Sequence, residues 1–272
     1  MGNFDPKTAV ITGGASGIGF AVAKNLAAKG IKVILADLPG KKLEKAKENI
    51  GGVLAYPCDV ADLEQSERLA EFSFDTLGVV HLVLNNAGVG GVHGKMWEVD
   101  PEDARNHLNT NFWGVWHGCK AFVPKLIAQK DSSAIYNTGS ENSFFCGVQR
   151  SAAYIAAKHA VLGLTESLRD DLPEHVHAGL IIPGWVHTSL GNAKFMQFGM
   201  SVDKYAKIIT PQLLEKRRFV VSHGYNAVRI NERMSELNES YDQNFIISSI
   251  ADEKLGQKLV IVFEKKIPPD WI

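Results

Sequence analysis

A tyrosine and a lysine, Tyr154 and Lys158, stand four residues apart in the small-residue stretch "SAAYIAAKHA", Ser151 to Ala160. On a helix that spacing puts both side chains on one face, one turn apart. A phenol beside an ammonium is an acid/base pair. Free tyrosine titrates at about 10, and a nearby positive charge favours its phenolate, so the expected effect of Lys158 is to lower the Tyr154 pKa. The phenolate can take the hydroxyl proton of an alcohol as hydride leaves the carbon, and the phenol can return it to a carbonyl oxygen.

A hydride needs an acceptor, and a second constellation offers a place for one. "VITGGASGIGFAVAKNLAAKG" puts Gly13, Gly17 and Gly19 between an apolar β-run and a helical pattern. Glycines there permit a tight turn and let the backbone approach a pyrophosphate, whose charge the helix N-terminus favours. Asp37 ends the next strand, eighteen residues after Gly19, where an acid accepts from the adenosine ribose hydroxyls and repels a 2′-phosphate. Ser16 and Leu38 are neutral, and Lys41 and Lys42 are the nearest cations, so NAD is expected in preference to NADP. Asp59 and Val60 end a third strand, and "NNAG", Asn85 to Gly88, ends a fourth. In an open α/β sheet the ligand lies outside such carboxyl ends.

The elements that must hold these residues are legible. Strands are expected at Thr8 to Thr12, Lys32 to Asp37, Val53 to Asp59, His81 to Gly88, Ser133 to Ser140 and His177 to Gly184, with a weaker seventh at Arg218 to Ser222. Runs apolar on both faces, each followed by a helix, predict a parallel sheet covered on both sides. Ile18, Val22 and Leu26 follow helical spacing up to a stop at Gly30. A stripe through Leu108, Phe112, Val115, Cys119, Phe122 and Leu126 predicts one long helix over about 103–129, and 151–171 is another. No repeat or linker tract divides the chain, so a single domain is expected over 1–272. Within it, about 185–216 reads as a substrate loop or lid and about 224–272 as a C-terminal extension that includes a strand candidate, "LVIVFEKK".

The 272 residues are 45% hydrophobic with a net charge of −1, which suits a globular core and gives no footprint for nucleic acid or an anionic membrane. Three widely spaced cysteines, Cys58, Cys119 and Cys146, suggest a reducing compartment, and no metal site is expected. Without an apolar leader or spanning run, a soluble cytoplasmic protein is the expectation. Gly2 opens like an acylation site, but Pro6 stands where that motif wants Ser or Thr.

The chain resembles the short-chain dehydrogenase/reductase family in its compact single-domain form. The motif TGxxxGxG is present as "TGGASGIG" (Thr12 to Gly19), NNAG as Asn85 to Gly88 and YxxxK as Tyr154 to Lys158. The resemblance extends over about residues 7–190 and implies a Rossmann-like, doubly wound α/β fold with a parallel sheet of about seven strands. It implies NAD-dependent hydride transfer between a secondary alcohol and a ketone, with Ser140, Tyr154, Lys158 and Asn111 as catalytic residues. Ser140 would face the substrate oxygen, Lys158 the nicotinamide ribose, and Asn111 a water that links Lys158 to solvent. "NTGSENS" departs from the usual Ser-Ser pair, which makes Ser143 a competitor to Ser140. The implied cofactor set is Gly13, Ser16, Gly17, Ile18, Gly19, Asp37, Asp59, Val60, Asn86, Ala87, Gly88, Tyr154, Lys158, Pro183, Val186 and Thr188. A homodimer or homotetramer is implied as well, with Trp113 and Trp116 as core or interface residues.

Phe144, Phe145, Trp185, Phe195 and Phe198 fall in segments expected to border the substrate, which suggests an apolar or aromatic small molecule. His187 is a candidate for substrate contact, and His159 points away from Lys158 by about 100° on the helix. Two other readings compete: an NADP-dependent carbonyl reductase, and a dinucleotide-binding regulator without turnover.

Overall fold

The computed structural model describes residues 4–191 and 193–242, of which 193, 195, 241 and 242 are described by backbone alone. The first part of the chain alternates strand and helix: β1 (Thr8–Thr12), α1 (Gly17–Ala27), β2 (Lys32–Asp37), α2 (Lys41–Ile50), β3 (Leu54–Pro57), α3 (Leu63–Leu77) and β4 (Leu82–Asn85). Then come α4 (Pro101–Leu108), α5 (Gly114–Gln129), β5 (Ser133–Thr138), α6 (Ala152–Asp171) and β6 (Val176–Ile182). The short pieces β7 (Val186–His187), α7 (Ala193–Met196) and β8 (Met200–Ser201) lead to α8 (Val202–Leu214), β9 (Phe219–Val221) and α9 (Asn226–Asp242).

Seven strands form one sheet in the order β3-β2-β1-β4-β5-β6-β9, with every pair parallel. Side chains alternate between its two faces, so Ala9 and Ile11 join one core while Val10 joins the other. Helices α1, α2 and α8 cover the first face, and α3, α5 and α6 the second. Strand order reverses between β1 and β4, and at that point the chain ends of neighbouring strands diverge into a crevice.

The expected strands that became β3, β4, β5 and β6 run two or three residues too far at their C-terminal ends, and at β4 the reason is local. After β4, the N–H groups of Asn86 and Ala87 both donate to Thr12 Oγ1, at 3.0 and 3.1 Å, instead of to a neighbouring strand. The helix expected over 103–129 is interrupted by a π-turn at Asn109–Trp113, closed by Gly114 N–H donating to the Asn109 carbonyl. Such widened turns are frequent at functional sites. Contacts divide the chain into residues 1–227 and residues 228–272. The first unit is the layered sheet; in the second, the described residues continue α9. The strand candidate "LVIVFEKK" lies outside the described residues.

Candidate active site

A cleft of about 840 Å3 opens at the carboxyl ends of β1, β4, β5 and β6. Apart from Gly19, every residue of the expected catalytic and cofactor set lines it. The strands fan apart here, so residues far apart in sequence meet with no further device.

The glycine turn is shaped by sterics. Gly13 and Gly17 take φ of +64° and +56°, a region other residues enter at a cost. A Cβ on Gly17 would project towards Thr188 Cγ2, 3.5 Å away, across the space between the turn and the β7 segment. Gly19 serves from behind: a Cβ there would stand 2.3 Å from the Gly13 carbonyl oxygen and 2.5 Å from Asn86 Nδ2. Ser16 is the N-cap of α1 but its side chain makes no cap bond, and no acid sits in the first turn. The leading N–H groups of α1 therefore remain to meet an anion. Asn86 holds the turn to β4, its Nδ2 donating to the Thr12 carbonyl at 3.0 Å. These features fit a dinucleotide pyrophosphate.

Asp37 also lines the cleft. Its carboxylate accepts from Ala15 N–H at 2.9 Å and from Leu38 N–H at 2.8 Å, which fixes it beside the turn. Asp59 accepts from Ala61 N–H at 2.9 Å, and Val60 is buried next to it.

Around Tyr154 the partners are specific. Ser140 Oγ accepts from both Asn142 N–H (3.1 Å) and Asn142 Nδ2 (3.3 Å). A hydroxyl has two lone pairs and one proton, so with both lone pairs taken its proton is left to donate, and it does so to the Tyr154 hydroxyl. Ser143 is used differently: Ser143 Oγ donates to the Lys158 carbonyl at 2.7 Å and accepts from Ser140 N–H at 3.2 Å. It staples the turn to α6 and does not line the cleft.

Lys158 is 4% exposed, and its Nζ donates to the Thr138 carbonyl at 2.7 Å. Burial pulls its pKa down to about 8. In the protein alone Tyr154 is shifted upward. Burial raises its pKa, the Ser140 hydrogen bond works against that, and the charge of Glu141 adds to the rise. The lowering is expected from Lys158 together with the positive nicotinamide of NAD+; Lys158 by itself does not supply it, since its ammonium is drawn to Thr138, 5.8 Å from the phenol ring centre, while burial penalises the phenolate directly.

Asn111 sits in the π-turn, 1% exposed. Its amide pairs with both backbone groups of Val89, accepting from N–H at 3.3 Å and donating to the carbonyl at 2.9 Å. That pairing turns Nδ2 towards His107, whose ring Nε2 and backbone carbonyl oxygen both lie 3.1 Å away. The amide donors are thus spent within the protein, and the side chain clamps the Val89 loop. Gly88 makes this approach possible, since a Cβ there would stand 2.9 Å from Asn111 Oδ1.

Several expectations about the substrate end are corrected. Trp185 lines the cleft, but Phe144 packs against Phe219 at 6.2 Å and Phe145 is 7% exposed, both turned inward by the 3-10 turn at Glu141–Ser143. Phe198 is 74% exposed and outside the lining, and the Phe195 side chain lies outside the described residues. His187 borders a separate shallow pocket, and His159 bonds the Ile155 carbonyl. Residues the sequence reading passed over include Asn142, Glu141, Thr138 and His107, all of which line the cleft. His107 had a visible signal, one helical turn before Asn111. Its ring meets Tyr154 edge-on at 5.9 Å, and burial, then Lys158 and His93, lower its pKa, which keeps it neutral.

The family model described as short chain dehydrogenase matches residues 7–197, and the chain belongs to that family. It is similar to 1-deoxy-11-beta-hydroxypentalenate dehydrogenase of Streptomyces avermitilis, 37% identical over 194 residues, which are 69% of this chain and 72% of that one. It is also similar to cyclohexanol dehydrogenase of an Acinetobacter species, 32% identical, with 69% of this chain and 76% of that one covered. Among solved structures, a short-chain dehydrogenase/reductase from Burkholderia phymatum in complex with NAD superposes with a TM-score of 0.82 at 28% identity, covering 91% of this chain and 100% of that one. The protein is therefore an oxidoreductase of this family. No described helix is long and apolar enough to cross a membrane.

Proposed function

We propose that this protein is an NAD-dependent dehydrogenase interconverting a secondary alcohol and a ketone on a small, largely apolar molecule. One observation carries the reading: Ser140, Tyr154 and Lys158 line the same cleft as the glycine turn and Asp37. All of these residues lie in the first unit, residues 1–227, which we take as the catalytic domain. The names of relatives that oxidise hydroxypentalenate and cyclohexanol support an alcohol substrate.

In this reading NAD supplies the hydride acceptor and, when oxidised, a positive charge that favours the neighbouring phenolate. Gly13, Gly17 and the N–H groups of α1 hold the pyrophosphate, Asp37 the adenosine ribose, and Thr188 the nicotinamide end. The Tyr154 hydroxyl removes the alcohol proton, and Lys158 supports it by leaving Thr138 for the ribose hydroxyls. Ser140, its proton aimed by Asn142, fixes the substrate oxygen. The exposed pair Trp113 and Trp116, with ring centres 5.7 Å apart, supports a homodimer or homotetramer, and sedimentation would read the state.

Fluorescence titration with NADH and NADPH tests the cofactor preference. NADH is expected to bind at least about tenfold more tightly, because a 2′-phosphate beside Asp37 meets like charge. Asp37→Ser is expected to narrow that ratio. Tighter NADPH binding by the unaltered protein would overturn the preference. A panel of secondary alcohols, read as NADH absorbance, tests turnover.

A further inference from the structure

Glu141 stands directly after Ser140 and has no part in the proton and hydride chemistry above. Its N–H donates to the Pro183 carbonyl at 2.8 Å, so the end of β6 fixes where the side chain begins. The Tyr225 hydroxyl accepts from Trp185 N–H at 3.1 Å and donates to the Glu141 carboxylate, which is thereby held from a second side. Glu141 lines the cleft, and its charge adds, as the least of three causes, to the rise of the Tyr154 pKa.

The charges around the cleft are unevenly placed. Asp37 ends β2 and Asp59 follows β3, on the far side of β1, whereas Glu141 follows β5. Among the described lining residues there is no arginine, and Lys158, the lysine there, donates to Thr138. A carboxylate on the substrate would meet Glu141 with no guanidinium to offset it. A hydroxyl or an ammonium would meet an anchored acceptor.

We propose that Glu141 is a specificity residue that accepts a hydrogen bond from a second donor group of the substrate, a hydroxyl or an ammonium, beyond the reacting alcohol carbon. The substrate class is then a diol or an amino alcohol, and hydroxy acids are rejected. The proposal rests on the dehydrogenase reading above. A hydrogen bond to a charged acceptor is worth about tenfold to a hundredfold in affinity or rate, which makes the selection measurable.

The test compares kcat/KM with NAD+ and with NADP+ for cyclohexanol, cyclohexane-1,3-diol, 3-aminocyclohexanol and 3-hydroxycyclohexanecarboxylate. The unaltered protein is expected to favour the diol or the amino alcohol over cyclohexanol by about tenfold or more, and to handle the hydroxy acid worst. The two favoured compounds distinguish hydroxyl from ammonium. Glu141→Gln keeps the side-chain shape and is expected to erase the ammonium advantage, weaken the hydroxyl advantage and improve the hydroxy acid, all relative to cyclohexanol. It should also move the pH of half-maximal cyclohexanol oxidation downward, since a negative neighbour of Tyr154 is gone. Tyr225→Phe frees the carboxylate and should shift the same ratios less. Equal ratios in the unaltered protein and Glu141→Gln, or a preference for the hydroxy acid, overturn the proposal alone. Failure to oxidise any of the four compounds with either cofactor overturns it together with the dehydrogenase reading.

Discussion

Tyr154→Phe is expected to lower kcat by about 10²- to 10⁴-fold, the range for losing a positioned acid or base, while NADH affinity stays within a few-fold. The substitution removes one oxygen and keeps the ring, so the edge-on contact with His107 at 5.9 Å survives. Burial raises the pKa of this phenol in the protein by itself. Oxidation needs the phenolate and reduction needs the phenol. Oxidation should therefore rise with pH through the neutral and alkaline range, and reduction should fall over the same range. Steady-state rates in both directions from pH 6 to 10, with NADH titrations of both proteins, check this. A variant at the unaltered rate would remove Tyr154 from the mechanism.

Gly19→Ala has the second largest expected effect, and it comes through backbone and not chemistry. The added Cβ would stand 2.3 Å from the Gly13 carbonyl oxygen, and no rotamer relieves a contact between a Cβ and a backbone atom. Helix α1 must move away from the turn, opening the cradle that its N–H groups complete. Overpacking of this kind costs about 1–3 kcal/mol, and a loss of that size lowers Tm by about 2–4 °C per kcal/mol in a domain of this size. NADH affinity should fall by more than about tenfold, since the pyrophosphate contacts depend on the same geometry. Calorimetry and fluorescence titration read the two effects separately. Unchanged Tm and unchanged NADH affinity would show that the close approach is not needed.

Much of the fold was legible because parallel strands buried on both faces leave nearly continuous apolar runs. β1 and β2 fall on the expected residues, and the other strands of the sheet overlap theirs. Strand ends were misjudged because side chains there, such as Thr12, take backbone donors out of the ladder across more than seventy residues of sequence. The π-turn at Asn109–Trp113 was invisible because one extra residue in a turn barely disturbs an apolar stripe. The substrate end was the least legible: Phe144 and Phe145 look like pocket residues in sequence, yet after a three-residue turn Phe145 is buried and Phe144 packs half-buried against the core.

The sequence by itself determined the layered fold, the glycine turn, the acid at the end of β2 and the one-turn spacing of Tyr154 and Lys158. These follow from steric rules and short-range periodicity, which are written locally along the chain. Only the tertiary structure decided that Ser140 lines the cleft while Ser143 staples the turn to α6, that Asn111 clamps Val89, and that Glu141 shares the cleft with Tyr154. Those outcomes depend on which hydrogen-bond partners and how much burial each side chain meets, and both are set by elements distant in sequence and adjacent only after folding.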